Sequence, residues 1–205
     1  MQNSILEQAR AIARLGNQGI DIERAQQLLM DHLIVHPQDT DAWLLLMCLE
    51  CNPPLYDQYR IIHYAQHVLS YDPSNAYALL FWSYADHYFM GDLDDDLHEK
   101  LSMAHSDNKE VMSMVEVAKA RHFKYRDSKK YEEALKKSIE YCSTHRTNFQ
   151  MLGNLYIKQG KIEEGKFLIE QGALNVKKDY DDSPEAWQLR ASSLEDIWRE
   201  FFARI

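Results

Sequence analysis

The chain has 205 residues, 45% of them apolar and 27% charged, and only 7 Gly and 5 Pro, too few turn residues for a many-stranded β protein, so helices are expected. Its net charge of -9 is uneven: residues 1–108 hold 5 Lys/Arg against 16 Asp/Glu, and residues 109–205 hold 18 against 16, an acidity that repels a phosphate backbone and suits either a basic partner or a merely solvated face. No apolar run approaches the roughly 18 residues of a membrane span, no signal-peptide pattern opens the chain, and three cysteines cannot complete a paired disulfide framework, so a soluble protein of a reducing cytoplasm is expected.

Taken in chain order, one cadence recurs. Met1 to Ile20 carries Glu7, Arg10 and Arg14 inside a helical pattern. Ala25, Leu29 and Pro37 are spaced 4 and 8, and Ile61, Ala65 and Pro73 repeat those spacings. Each proline ends a helix, and Asp39 to Asp41 and Ser74 to Asn75 supply capping side chains for the next one. Ala134, Ser138 and Arg146 keep the spacing without the proline, as do Gly165, Ile169 and Lys177.

The stretch LGNLYIKQGKIEEG, Leu152 to Gly165, shows the unit most clearly. An apolar-periodic segment from Phe149 closes at Tyr156 and Ile157, Gly160 ends that helix in a left-handed conformation, and Ile162, Gly165, Leu168 or Ile169, Gly172 and Ala173 restart the period. Each glycine inside a helix costs roughly 1 kcal/mol relative to Ala, so Gly153, Gly165 and Gly172 imply two helices in close approach. Further on, Ser183 is a good N-cap, Pro184 fits the first helical position and Glu185 favours the positive helix end. Trp187, Ala191, Leu194, Trp198, Phe201 or Phe202, and Ile205 form an aromatic stripe on this last helix.

These residues resemble the tetratricopeptide repeat, a helical hairpin of about 34 residues with the signature W-x2-L-G-x2-Y, then A-x3-F, then P. Phe149 takes the tryptophan place, Leu152, Gly153 and Tyr156 match as written, Gly165 stands for the alanine and Ile169 for the phenylalanine. Trp43 and Leu46 start another copy, in which Met47 and Glu50 depart at the glycine and tyrosine places. The resemblance implies one all-α domain over residues 1–205, a superhelical array of about five hairpins at about 4–37, 40–73, 76–107, 110–146 and 147–178, with a C-terminal capping helix over 184–204. The third hairpin, with Asp96 near the small-residue place, and the fourth, which lacks a turn glycine, fit least well. The aromatic stripe of the last helix would cover the open end of the stack or pair with a second copy as a homodimer.

Candidate chemistry is sparse. Cys48 and Cys51 have a CxxC spacing, but Cys142 alone does not complete a zinc set, and their place at a helix C-terminal end suits packing. His63 and His67 share a helix face without the glutamate or third ligand of a metalloprotease. The carboxylates of Asp92 to Asp96 lack calcium-loop spacing and suit a helix start. The basic stretch Lys119 to Lys130 has Phe123 and Tyr125 interleaved, which could stack on bases, although Tyr125 also fits a core place. No phosphate loop or nucleophile elbow is present, so neither catalysis nor a cofactor nor a metal is expected.

What the resemblance implies is protein binding, in a concave groove lined by the first helix of each hairpin. Its lining would include Thr147, Gln150, Asn154, Ile157 and Lys158, then Leu44 and Cys48, then Phe81, Ala85 and Tyr88, then Lys119, Phe123 and Arg126. A groove so apolar, in acidic surroundings, suits a basic or amphipathic peptide or helix and not nucleic acid. The expected role is an adaptor or scaffold, the alternative a chaperone or immunity-type protein holding one cognate partner, and the outside class a metal-dependent enzyme.

Overall fold

The computed structural model describes residues 4–13, 15, 18–51, 57–90, 95–143 and 145–179. The expected capping helix over 184–204, with the homodimer contact assigned to it, lies outside the described residues. Among them are ten helices and no strand: α1 (Ile5–Ala13), α2 (Gln18–Val35), α3 (Thr40–Glu50), α4 (Gln58–Leu69), α5 (Ala76–Met90), α6 (Asp95–Ser102), α7 (Lys109–Phe123), α8 (Ser128–Tyr141), α9 (Arg146–Lys158) and α10 (Ile162–Asp179). The described chain divides between Asp72 and Pro73 into two compact units.

In the first unit, α1 opens on a capping box: Ser4 Oγ accepts from the Glu7 amide at 3.3 Å and Glu7 accepts from the Ser4 amide at 3.1 Å, satisfying donors that the helix start leaves open. The junction between α2 and α3 is built around Pro37 and Asp39. Asp39 caps α3 by accepting from the Ala42 amide at 3.1 Å and meets His32 Nε2 at 2.7 Å. Trp43, the residue at the signature tryptophan place, donates its indole N–H to the Pro37 carbonyl at 2.8 Å and packs its ring on Tyr64 and His67 of α4. Every residue of α3 from Ala42 to Glu50 is buried, as expected of a helix apolar on nearly all sides.

In the second unit, Asn75 accepts from the Ala78 amide at 3.0 Å and so starts α5. Asp95 and Asp96 lie in the first turn of α6, where carboxylates complement the helix dipole. The connection from α7 to α8 needs no glycine. Residues 124–126 form a turn whose Arg126 and Asp127 amides both return to the Phe123 carbonyl, and Asp127 then caps α8 by accepting from the Lys129 and Lys130 amides, each at 3.0 Å. Among the described residues no non-glycine has a positive φ.

A buried cluster of Ala120, Tyr131, Ala134, Leu135 and Leu152 joins α7, α8 and α9, with Phe123, Met151, Leu155 and Leu168 around it. Glu116 of α7, 4% exposed, meets Lys119 at 3.1 Å and Lys137 of α8 at 2.9 Å, so its buried charge is paired. The α9–α10 hairpin is the tightest pair. Gly160, at φ +82°, sits in a Schellman turn: its amide donates to the Ile157 carbonyl at 3.0 Å and the Lys161 amide to that of Tyr156 at 2.9 Å. A Cβ on Gly153 would lie 2.6 Å from the Gly165 carbonyl oxygen, and one on Gly165 2.5 Å from that of Gly153. Backbone meets backbone there, which only glycine permits.

Candidate functional site

The residues assigned to a groove divide sharply by exposure. Leu44, Cys48, Phe81 and Ala85 are 3%, 2%, 0% and 0% exposed; they pack their own units and offer no side-chain surface. The physical reason is the pattern around them: the buried run of α3 and the apolar run Ala76 to Phe81 leave no polar stripe to mark one free face. The side chain of Tyr88 lies outside the described residues.

Lys119, Phe123 and Arg126 are held by their own unit. Lys119 is ion-paired with Glu116. Arg126 pairs with Asp95 of α6, which also lies 3.7 Å from His122. His98 of α6 stacks on His122, ring centroids 4.1 Å apart, and Phe123 stands edge-on to both rings. Burial, followed by the His122 and Lys119 charges, holds the His98 imidazole below its ordinary pKa, and the hydrogen bond from Arg126 holds the Asp95 carboxyl below the usual carboxylate range. Within the basic stretch Lys119 to Lys130, Lys129 also lies 3.8 Å from Glu133, while Lys124 and Lys130 sit over the Tyr125 and Phe123 rings, so both rings of the stretch are engaged by its own cations.

Cys48 and Cys51 are both buried, and burial drives both thiols well above their ordinary pKa; such thiols are inert packing groups. His63 is exposed and His67 meets the Pro37 carbonyl at 3.1 Å, so the two histidines have different surroundings.

What remains open is α9 and its partner α10. Gln150, Asn154, Ile157 and Lys158 are exposed on α9, Thr147 is half-buried, and Phe149, Leu152 and Gly153 face the core. On α10, Glu163, Phe167, Glu170 and Leu174 are all exposed and stand at i, i+4, i+7 and i+11, one stripe of a helix. Phe167 is 60% and Leu174 56% exposed. Beside them Tyr156, Glu163, Glu164, Phe167 and Leu168 line a shallow depression. Sequence reasoning passed over this stripe because it used α10 only as the packing mate of α9; the alternation of Glu with Phe and Leu at helical spacing was the available signal.

Solved structures of MamA, a tetratricopeptide-repeat protein, share this arrangement of helices. One crystal structure of MamA superposes with a TM-score of 0.57 at 18% identity, covering 87% of this chain and 98% of that one. A second gives 0.60 at 18% identity over 87% and 97%, and the MamA RS-1 ArsTM double mutant gives 0.63 at 12% identity over 89% and 100%. The fold is that of the tetratricopeptide repeat. No family model matches the sequence, and no curated protein matches it. In repeat terms, the signature glycine Gly153 faces Gly165 at the alanine place, and the signature tyrosine Tyr156 donates to Glu132 of the preceding hairpin at 3.0 Å. No described helix is long and apolar enough to cross a membrane.

Proposed function

We propose that the chain is a non-catalytic protein–protein interaction module, an adaptor or scaffold that binds a basic, amphipathic segment on its α9–α10 hairpin. The exposed Glu163, Phe167, Glu170 and Leu174 stripe of α10 carries this reading. Two apolar side chains at i and i+7 supply anchors for an apolar helix face, and the carboxylates between and beside them favour Lys or Arg on the partner. The polar stripe of α9, Gln150, Asn154 and Lys158, adds hydrogen-bonding groups on the same hairpin. The tetratricopeptide fold supports the reading by its general use as a scaffold for partner segments.

Affinity purification of the whole chain, compared with its Glu163→Lys, Glu170→Lys variant, tests the proposal. The expected result is a protein that co-purifies with the wild type and is depleted from the variant at unchanged helicity. Identical sets of co-purified proteins would overturn the docking assignment. Several weakly held proteins mark an adaptor, whereas one stoichiometric partner marks a dedicated holder.

A further inference from the structure

We infer that Glu110, Cys142 and His145 form a binding site for a zinc-type divalent transition-metal ion at the junction of α7, α8 and α9. One ligand atom from each of the three residues lies within 4.8 Å of the other two. The residues come from the first turn of α7, the C-cap of α8 and the N-cap of α9, so the ion would clasp three helix ends within one unit.

Local structure explains why these side chains meet. Asn108 caps α7 by accepting from the Glu110 amide at 2.9 Å, which fixes the backbone that carries the carboxylate. Cys142 leaves α8 in an extended conformation, φ -147° and ψ 112°, and His145 is the N-cap of α9. Cys142 and His145 stand three positions apart, and both are ligand types of zinc sites. His145 occupies an N-cap but makes no side-chain cap hydrogen bond.

The imidazole is instead oriented by a buried hydroxyl. Ser113, 0% exposed, donates its proton to the Ser138 carbonyl at 2.8 Å and accepts from Asn148 Nδ2 at 2.9 Å. Toward His145 Nδ1, 3.3 Å away, the same oxygen can only accept. The ring therefore carries its proton on Nδ1 and keeps its lone pair on Nε2. Partners of this kind orient metal-bound histidines and fix their tautomer.

The donor set selects the ion. Thiolate, imidazole and carboxylate together suit Zn(II) and Co(II), whereas magnesium and calcium prefer oxygen alone. Metal–ligand bonds of about 2.0–2.3 Å place tetrahedral ligands ~3.3–3.8 Å apart, so the side chains need to close by at most roughly 1.5 Å. Three protein ligands leave a fourth position for water or a further group. On binding, the thiol proton passes to solvent as the sulfur–metal bond forms. In sequence Cys142 does not complete a zinc set with Cys48 and Cys51; the fold brings it to His145 and Glu110.

Titrating the metal-free full chain with Co(II) tests the inference. One equivalent should produce a thiolate-to-cobalt charge-transfer band that Zn(II) abolishes, and zinc should raise the melting temperature. Cys142→Ser should remove the band, and His145→Gln should weaken binding by at least about tenfold. Ser113→Ala should weaken it by roughly 10–100-fold, the usual cost of losing such a supporting hydrogen bond. Absence of the band in the wild type, or its persistence in Cys142→Ser, overturns the site. His145→Gln decides the question if the cysteine variant does not fold, because unchanged Co(II) affinity there also overturns it.

Discussion

At the scale of single residues, the contact between Gly153 and Gly165 sets two effects against each other. Alanine would gain roughly 1 kcal/mol of helix propensity at Gly153. Its Cβ would also lie 2.6 Å from the Gly165 carbonyl oxygen, a backbone atom that cannot rotate away, and overpacking of this kind costs about 1–3 kcal/mol. Gly153→Ala is therefore expected to be destabilising in chemical denaturation, against its propensity; a stabilised variant would show that the helices can part freely. Glu50 offers a second case. It is 1% exposed, accepts from Gln26 Nε2 at 2.8 Å and lies 3.6 Å from Arg60. Burial outweighs Arg60 and raises its pKa above 4.5, so the stability it contributes is present below that value and lost as pH rises through the raised one. Glu50→Gln keeps the Gln26 contact and removes the buried charge. At neutral pH it should equal or exceed wild type by up to about 1 kcal/mol, and the difference should vanish below pH 4.5.

At the scale of elements, helix starts were the most legible feature, because capping chemistry is local. Asp39 and Asn75 cap α3 and α5 where the sequence places caps, and Gly160 ends α9 in the left-handed conformation it alone supplies. The α7–α8 turn was harder to read because Asp127, not glycine, closes it. Asp127→Ala should cost about 1 kcal/mol through the loss of two capped amides, measured by thermal melting, with Asp127→Asn retaining most of the stability. The packing of α6 on α7 carries a pH signature. His98 is held below its ordinary 6.5, so the unfolded chain takes up the proton first; the stability it confers is present above pH 6.5 and lost as pH falls through the lowered value. Wild-type stability should therefore decline on acidification from 6.5, and His98→Asn should flatten that slope.

At the scale of the molecule, period and small residues told which helices pair, whereas exposure depends on what packs around each pair. Trp43 and Leu46 lie on α3 as a repeat start would have them, yet their neighbours Leu44 and Cys48 proved buried, since a helix apolar all round presents no side that sequence can single out. Arg126 kept its exposure but spends its charge on Asp95, a partner 31 positions away. A comparable separation in sequence hid Glu110 from Cys142 and His145. Among the described residues, the groove positions Gln150, Asn154 and Lys158 of α9 lie exposed, and on that hairpin the interaction reading rests on Phe167. The most direct test is calorimetric titration of a co-purified partner into wild type and Phe167→Ala. A hot spot of about 2 kcal/mol predicts roughly 30-fold weaker binding with helicity unchanged; equal affinity for both proteins would contradict the assignment of this hairpin as the binding surface.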